Sequence, residues 1–172
     1  MTSAPSIRHL EPADEGLYRG LWLEALRDYA PYFRIAAEDD SVLPIPTRFA
    51  RDSFTLGAFY GQRLVGILSL NRETGAKLRH KALLFRMFVH PDAAGRGTGR
   101  SLLREAITQA ESVGDLRQLH LTVLATNQKA WGLYRSMGFV EFALERESVL
   151  IGDQYVDEVQ MARFLGGRGR RL

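Results

Sequence analysis

The chain has no cysteine among its 172 residues. That excludes disulfides, thiolate nucleophiles, and zinc or iron–sulfur sites built on cysteine. It fits a reducing compartment, so a cytoplasmic location is expected. Long apolar runs are also missing. No stretch approaches the ~20 residues needed to span a bilayer as a helix. The N-terminal stretch lacks the basic, apolar and small-residue blocks of an export signal. Internal repeats are absent, and prolines number only 6. What is present is ordinary for a globular protein: 45% apolar and 25% charged residues, in a length that suits one domain with a real core.

The net charge of +3 is unevenly spread. Residues 1–76 carry −2, residues 77–104 carry +6, residues 105–165 carry −4, and the arginines Arg168, Arg170 and Arg171 add +3. A strongly basic internal segment therefore sits between two acidic ones, which suggests either a solvated face or an anion site. Without its arginine tail the chain would be neutral. The basic isoelectric point is thus a poor argument for nucleic-acid binding. Residues 166–172 are low in complexity and are expected to form a disordered tail after a domain spanning 1–165.

Periodicity predicts a strand over Ile7–Leu10, then a helix opened by Pro12 and Asp14 and running to about Ala30. Its apolar stripe would be Leu17, Leu21, Trp22, Ala25, Leu26 and Tyr29. Residues 31–46 read as irregular, and Thr47–Asp52 as a short second helix. Thr55–Tyr60 and Leu64–Leu70 form a hairpin pattern across Gly61-Gln62-Arg63. Leu83–Val89 reads as a buried strand ended by His90-Pro91. Helical periodicity runs from Gly99 to Val113. Leu119–Leu124 is a strand, and Asn127 is the N-cap of a helix ending before Gly138. Phe139–Glu145, Ser148–Ile151 and Glu158–Phe164 complete the strands. The expected fold is α/β (α+β): a single domain with a mixed, mostly antiparallel sheet of about seven strands flanked by helices.

The segment Ala94-Gly95-Arg96-Gly97-Thr98-Gly99-Arg100-Ser101 joins a buried strand to an amphipathic helix. Glycines at every second position open the backbone to close approach. The helix start supplies unpaired N–H groups and the positive end of a dipole. Together with Arg96 and Arg100 this suits a phosphate or pyrophosphate; a tight glycine turn without a ligand is the plainer reading. A Walker A loop would need glycine at Ala94 and lysine at Arg100, so a nucleotide-dependent phosphotransferase fits poorly. The dinucleotide fingerprint needs a different glycine spacing.

At these residues the chain resembles the GNAT superfamily of acyl-CoA-dependent N-acetyltransferases, whose signature is (Gln/Arg)-x-x-Gly-x-(Gly/Ala). Gly97-Thr98-Gly99 matches its end, and Ala94 departs from its first position. A second block agrees: Leu119–Val123, Asn127, Ala130, then Leu133-Tyr134-Arg135-Ser136-Met137-Gly138-Phe139. Both blocks, in order and correctly spaced, cover about residues 83–140. The resemblance implies an acyltransferase that moves an acetyl group from acetyl-CoA to a primary amine by direct attack, with no metal. It places Met87, Phe88 and Val89 along the pantetheine arm. Gly95, Arg96, Gly97, Thr98, Gly99, Arg100 and Ser101 would lie around the pyrophosphate, with Asn127 and Ala130 as further contacts with the coenzyme. A backbone N–H near Val89 would face the oxyanion.

By the same resemblance Tyr134 is the acid that protonates the departing thiolate; on spacing alone it would be a core tyrosine. The general base stays open among His80, His120, Glu73, Glu147, Asp157 and a water relay. The acceptor cleft is expected around residues 28–54 and 148–155. The acidic residues Glu38, Asp39, Asp40, Asp153, Asp157 and Glu158 would favour a cationic amine there, or be solvated surface. The acceptor would be a small molecule or a peptide amine, with no membrane partner, and a homodimer is compatible with the pattern. A non-catalytic acyl-CoA sensor is the alternative.

Overall fold

The computed structural model describes residues 4–40 and 44–166. The arginines of the basic tail, and with them the expectation of disorder there, lie outside the described residues. The chain order is β1 (Ser6–His9), α1 (Glu15–Asp28), α2 (Ala37–Asp40), β2 (Ser53–Tyr60), β3 (Arg63–Arg72), β4 (Lys81–Val89), α3 (Thr98–Glu111), β5 (Gln118–Leu124), α4 (Gln128–Ser136), β6 (Val140–Ile151) and β7 (Gln154–Phe164). Seven strands form one sheet in the order β1-β2-β3-β4-β5-β7-β6. Every neighbouring pair is antiparallel except β4 and β5. This is the mixed, mostly antiparallel sheet that the strand pattern predicts.

Helices cover both faces. Leu102, Leu103, Ala106, Ile107 and Ala110 of α3 pack on one face with Tyr134 of α4. Tyr18, Leu21, Trp22, Ala25 and Leu26 of α1 pack on the other. Strand β2 is consequently buried along nearly its whole length rather than on alternate residues. In α1 the buried stripe includes Tyr18, while Leu17 is 48% exposed. Leu21, Trp22, Ala25 and Leu26 are buried as the spacing predicts, and only in the first turn does Tyr18 take the inward place expected of Leu17.

Three further expectations are corrected. Thr47–Asp52 is not helical. Phe49 has φ of 56°, the Arg48 amide donates to Ser53 Oγ, and Ala50 and Ser53 form an isolated bridge. Local turn bonds there displace helical ones. The short helix falls instead at Ala37–Asp40, inside the stretch read as irregular. Finally, Phe139–Glu145 and Ser148–Ile151 are parts of one strand. Its pairing with β7 shifts register twice, between Glu141 and Ala143 and between Glu145 and Val149; at the second shift Glu147 has φ of 52° and its amide donates to Asp157 Oδ1.

The end of α4 follows its sequence signal. Gly138 has φ of 85°, its amide donates to the Arg135 carbonyl, and the Phe139 amide donates to the Tyr134 carbonyl. These are the two bonds of a Schellman stop. A Cβ at 138 would also run into the Arg163 guanidinium, which is held by the Met137 carbonyl. Gly138→Ala is therefore expected to cost about 1–2 kcal/mol. Thermal unfolding checks it, with an expected loss of roughly 2–8 °C; an unchanged midpoint would contradict the strain.

Candidate active site

Strands β4 and β5 run parallel and in register only at Lys81–Gln118, Ala82–Leu119 and Leu83–His120. Beyond Leu83 they separate. The cause lies on the opposite edge of β4. Ser69 of β3 faces Phe85 and Ile67 faces Phe88, so Arg86 and Met87 together oppose Leu68. This bulge puts Arg86 at φ of 50°, an arrangement that bends the strand and raises its twist.

A buried polar cluster holds the bulge. Arg86 Nη1 donates to the Tyr18 hydroxyl at 2.8 Å, and Nη2 donates to Asp40 Oδ1 at 2.8 Å. The other Asp40 oxygen accepts from Trp22 Nε1 at 2.6 Å. Asp40 is only 4% exposed. Burial pushes the Tyr18 phenol up to about 12, so it stays neutral beside the arginine. This cluster ties the bulge to α1 and α2.

The separated strands open a cleft of about 780 Å³. Leu84–Val89 and Leu121–Leu124 form its walls, and the glycine loop stands at one mouth. Gly95 and Gly97 have φ of 73° and 79°, and nothing lies within 4 Å of where their Cβ atoms would be. The loop is braced by Thr98 Oγ1 on the Ala93 carbonyl at 3.0 Å. The first-turn amides of α3 point to this mouth without helical acceptors of their own. A Cβ at Gly99 would come within 3.2 Å of Leu133 Cδ2 and Met87 Cε, so the helix approaches β4 and α4 closely there.

Of the residues singled out from sequence, Met87, Phe88, Val89, Gly95, Gly97, Thr98, Gly99, Arg100, Asn127, Ala130 and Tyr134 all line this one cleft. Arg96 and Ser101 do not. The Arg96 guanidinium leans over the Tyr60 ring at 5.9 Å, and the Ser101 amide is already bonded to the Gly97 carbonyl. Arg100 donates to Ser136 Oγ at 2.9 Å, which ties α3 to α4. Asn127 caps α4, its side chain accepting from the Ala130 amide at 3.2 Å.

Tyr134 projects from α4 into the gap. It is 9% exposed, and burial pushes its phenol up to about 12. The acceptor found for its hydroxyl is Met87 Sδ at 3.6 Å, a thioether and hence a weak partner. A buried O–H with so weak an acceptor can offer its proton to a better one.

None of the five residues considered as bases lines the cleft. His120, Glu73 and Lys81 instead line a separate cavity of about 230 Å³. His120 contacts Gln118 there, and burial lowers its pKa. The His80 carbonyl accepts from the Arg117 amide beside the sheet. Asp157 is engaged with the Glu147 amide and Arg146. The carboxylate that does reach the cleft is Glu158 of β7, 2% exposed. Its placement follows from the register: Glu158 pairs with Leu124, at the open end of β5.

The acetyltransferase (GNAT) family model matches residues 16–139. The chain belongs to the GNAT acetyltransferase family. A GNAT-family acetyltransferase structure from Streptococcus pneumoniae superposes with a TM-score of 0.81 at 25% identity, covering 94% of this chain and 99% of that one. The [ribosomal protein bS18]-alanine N-acetyltransferase of Salmonella typhimurium is 38% identical over 82 residues, 48% of this chain and 55% of that protein. The spermidine N(1)-acetyltransferase of Vibrio cholerae is 30% identical over 82 residues, 48% of this chain and 47% of that protein. The chain thus spans about half the length of the curated relatives it matches. Among the described residues no helix is long and apolar enough to cross a membrane, and no group of metal-ligating side chains is found.

Proposed function

We propose that this GNAT protein transfers an acetyl group from acetyl-CoA to a primary amine. One observation carries the reading: a continuous path leads from the glycine-loop amides, through the gap between β4 and β5, to the Tyr134 hydroxyl. Family membership and two relatives named for acetylating amines support it.

The residues present fit the coenzyme. Glycines without Cβ atoms and the start of α3 suit a pyrophosphate. The unpaired edge of β4 suits an extended arm with amide groups, which would bind as an added strand does. The thioester brings an activated acetyl group whose leaving sulfur is stabilised by a proton. Tyr134, kept neutral by burial, holds that proton at its hydroxyl and can give it up. Backbone N–H groups near Val89 would face the developing oxyanion. Apolar side chains such as Phe88 and Leu124 exclude water from the gap.

The test is release of free coenzyme A from acetyl-CoA over a panel of alkylamines, polyamines, amino acids and peptide N-termini. Amine-dependent release is expected. Binding of acetyl-CoA without release over any amine would favour the sensor reading instead.

A further inference from the structure

Glu158 is a buried carboxylate whose partners do not match its burial. Ser148 Oγ donates to its Oε2 at 2.6 Å. The cation beside it comes from the far side of the cleft: Arg34 Nη1 lies 3.3 Å from the same oxygen. Arg34 belongs to the irregular segment between the Ala30–Tyr32 turn and α2, and its side chain is 59% exposed. A buried anion requires a cation, yet an exposed arginine at that distance is held only weakly. The pair can therefore exchange one cation for another at little cost.

The surroundings indicate which cation. Trp22, Tyr29, Phe33 and Phe88 form a contiguous aromatic wall, with ring centroids 5.2 Å apart for Trp22–Phe33, 5.4 Å for Tyr29–Phe88 and 6.1 Å for Phe33–Phe88. All four line the same cleft as Glu158 and Tyr134. Aromatic faces attract ammonium groups and accommodate apolar bodies. The other cleft arginine from this side, Arg86, is already committed to Asp40.

We infer that Glu158 is the anchor for the acceptor's ammonium group, that Arg34 is its tethered stand-in, and that the acceptor class is a cationic primary amine with an apolar or aromatic body. This rests on the acetyltransferase reading of the cleft. The incoming ammonium displaces the Arg34 guanidinium and gives one proton to the Glu158 carboxylate. The freed nitrogen lone pair attacks the thioester carbonyl, forming C–N. The C–S bond then breaks, and the sulfur takes the proton of Tyr134. The second nitrogen proton restores the phenol, and Glu158 passes its proton to solvent. The balance is ammonium plus thioester giving amide, thiol and one proton. The amide product is neutral, so it no longer competes for Glu158, and the return of Arg34 favours its release.

The probe is 2-phenylethylamine, which carries one ammonium and an aromatic body. Glu158→Gln is expected to lower kcat/KM about 100-fold while acetyl-CoA affinity is unchanged. Arg34→Ala is expected to lower the KM for the amine about fivefold by removing the internal competitor. Wild-type activity retained in Glu158→Gln, or a raised KM in Arg34→Ala, overturns the inference. A second readout needs no turnover. Ethylguanidinium should fill the vacated place in Arg34→Ala and raise its Tm by about 2 °C or more, and should not do so in the Arg34→Ala/Glu158→Gln double variant. Equal shifts in the two, or none in Arg34→Ala, also overturn it. Failure of the wild type to release thiol with any amine counts against the acetyltransferase reading, and the ethylguanidinium measurement then still decides the cation site by itself.

Discussion

Tyr134→Phe is expected to lower kcat by about 10²–10³-fold and to leave the dissociation constant for acetyl-CoA unchanged. The substitution keeps the ring, its edge contact with Phe139 at 6.2 Å and its place in the core. It removes only a hydroxyl whose partner is the Met87 thioether, so stability should change by less than about 1 kcal/mol. The pH profile has a definite sign. Burial favours the neutral phenol and pushes it up to about 12, so the acid keeps its proton throughout the neutral range and is lost only as pH rises toward that value. Activity should therefore show no tyrosine limb below about pH 10. Steady-state kinetics with a saturating amine, alongside titration calorimetry of the coenzyme, check both halves. An unchanged kcat would remove Tyr134 from the chemistry and return it to the core.

The second large effect concerns folding. Asp40→Ala is expected to destabilise the protein by about 3–5 kcal/mol, because it leaves the Arg86 charge buried without its anion. It also strips Trp22 Nε1 of its acceptor. Arg86→Met in the same protein removes the orphaned charge, so the double variant should recover part of the loss. Urea unfolding measures both variants. A loss below about 1 kcal/mol for Asp40→Ala would mean that the cluster does not support the bulge. Arg86 sits at φ of 50°, a conformation that costs a non-glycine residue about 1–2 kcal/mol. Such strain persists only where surrounding bonds fix it, and here the bonds to Tyr18 and Asp40 do so.

What could be read from the chain alone was local. The glycine loop, the Asn127 cap, the Gly138 stop and the strand–helix order each depend on residues close in sequence, and each appears in the fold. Tyr134 was legible through its neighbours in the Leu-Tyr-x-x-x-Gly-Phe block. The polar partnerships were not. Arg86 and Asp40 are 46 residues apart, and nothing in either segment marks the other. Glu158 looked like one acidic residue among several near the C-terminal end. Only the pairing of β7 with the open end of β5 turns it into the cleft, whereas the histidines considered as bases lie elsewhere. The second register shift within β6 resembles a gap between strands in the sequence, because Arg146 and Glu147 are charged and carry no alternating pattern.

In the proposed reaction the gap between β4 and β5 holds the acyl donor, with its pyrophosphate on the glycine loop and its thioester beside Tyr134. A crystal structure of the complex with acetyl-CoA tests this most directly. The expected result is a pyrophosphate on the amides of residues 95–100, a pantetheine arm along Met87–Val89, and a sulfur within hydrogen-bond reach of the Tyr134 hydroxyl. Coenzyme bound outside the gap, or a sulfur remote from Tyr134, would contradict the account.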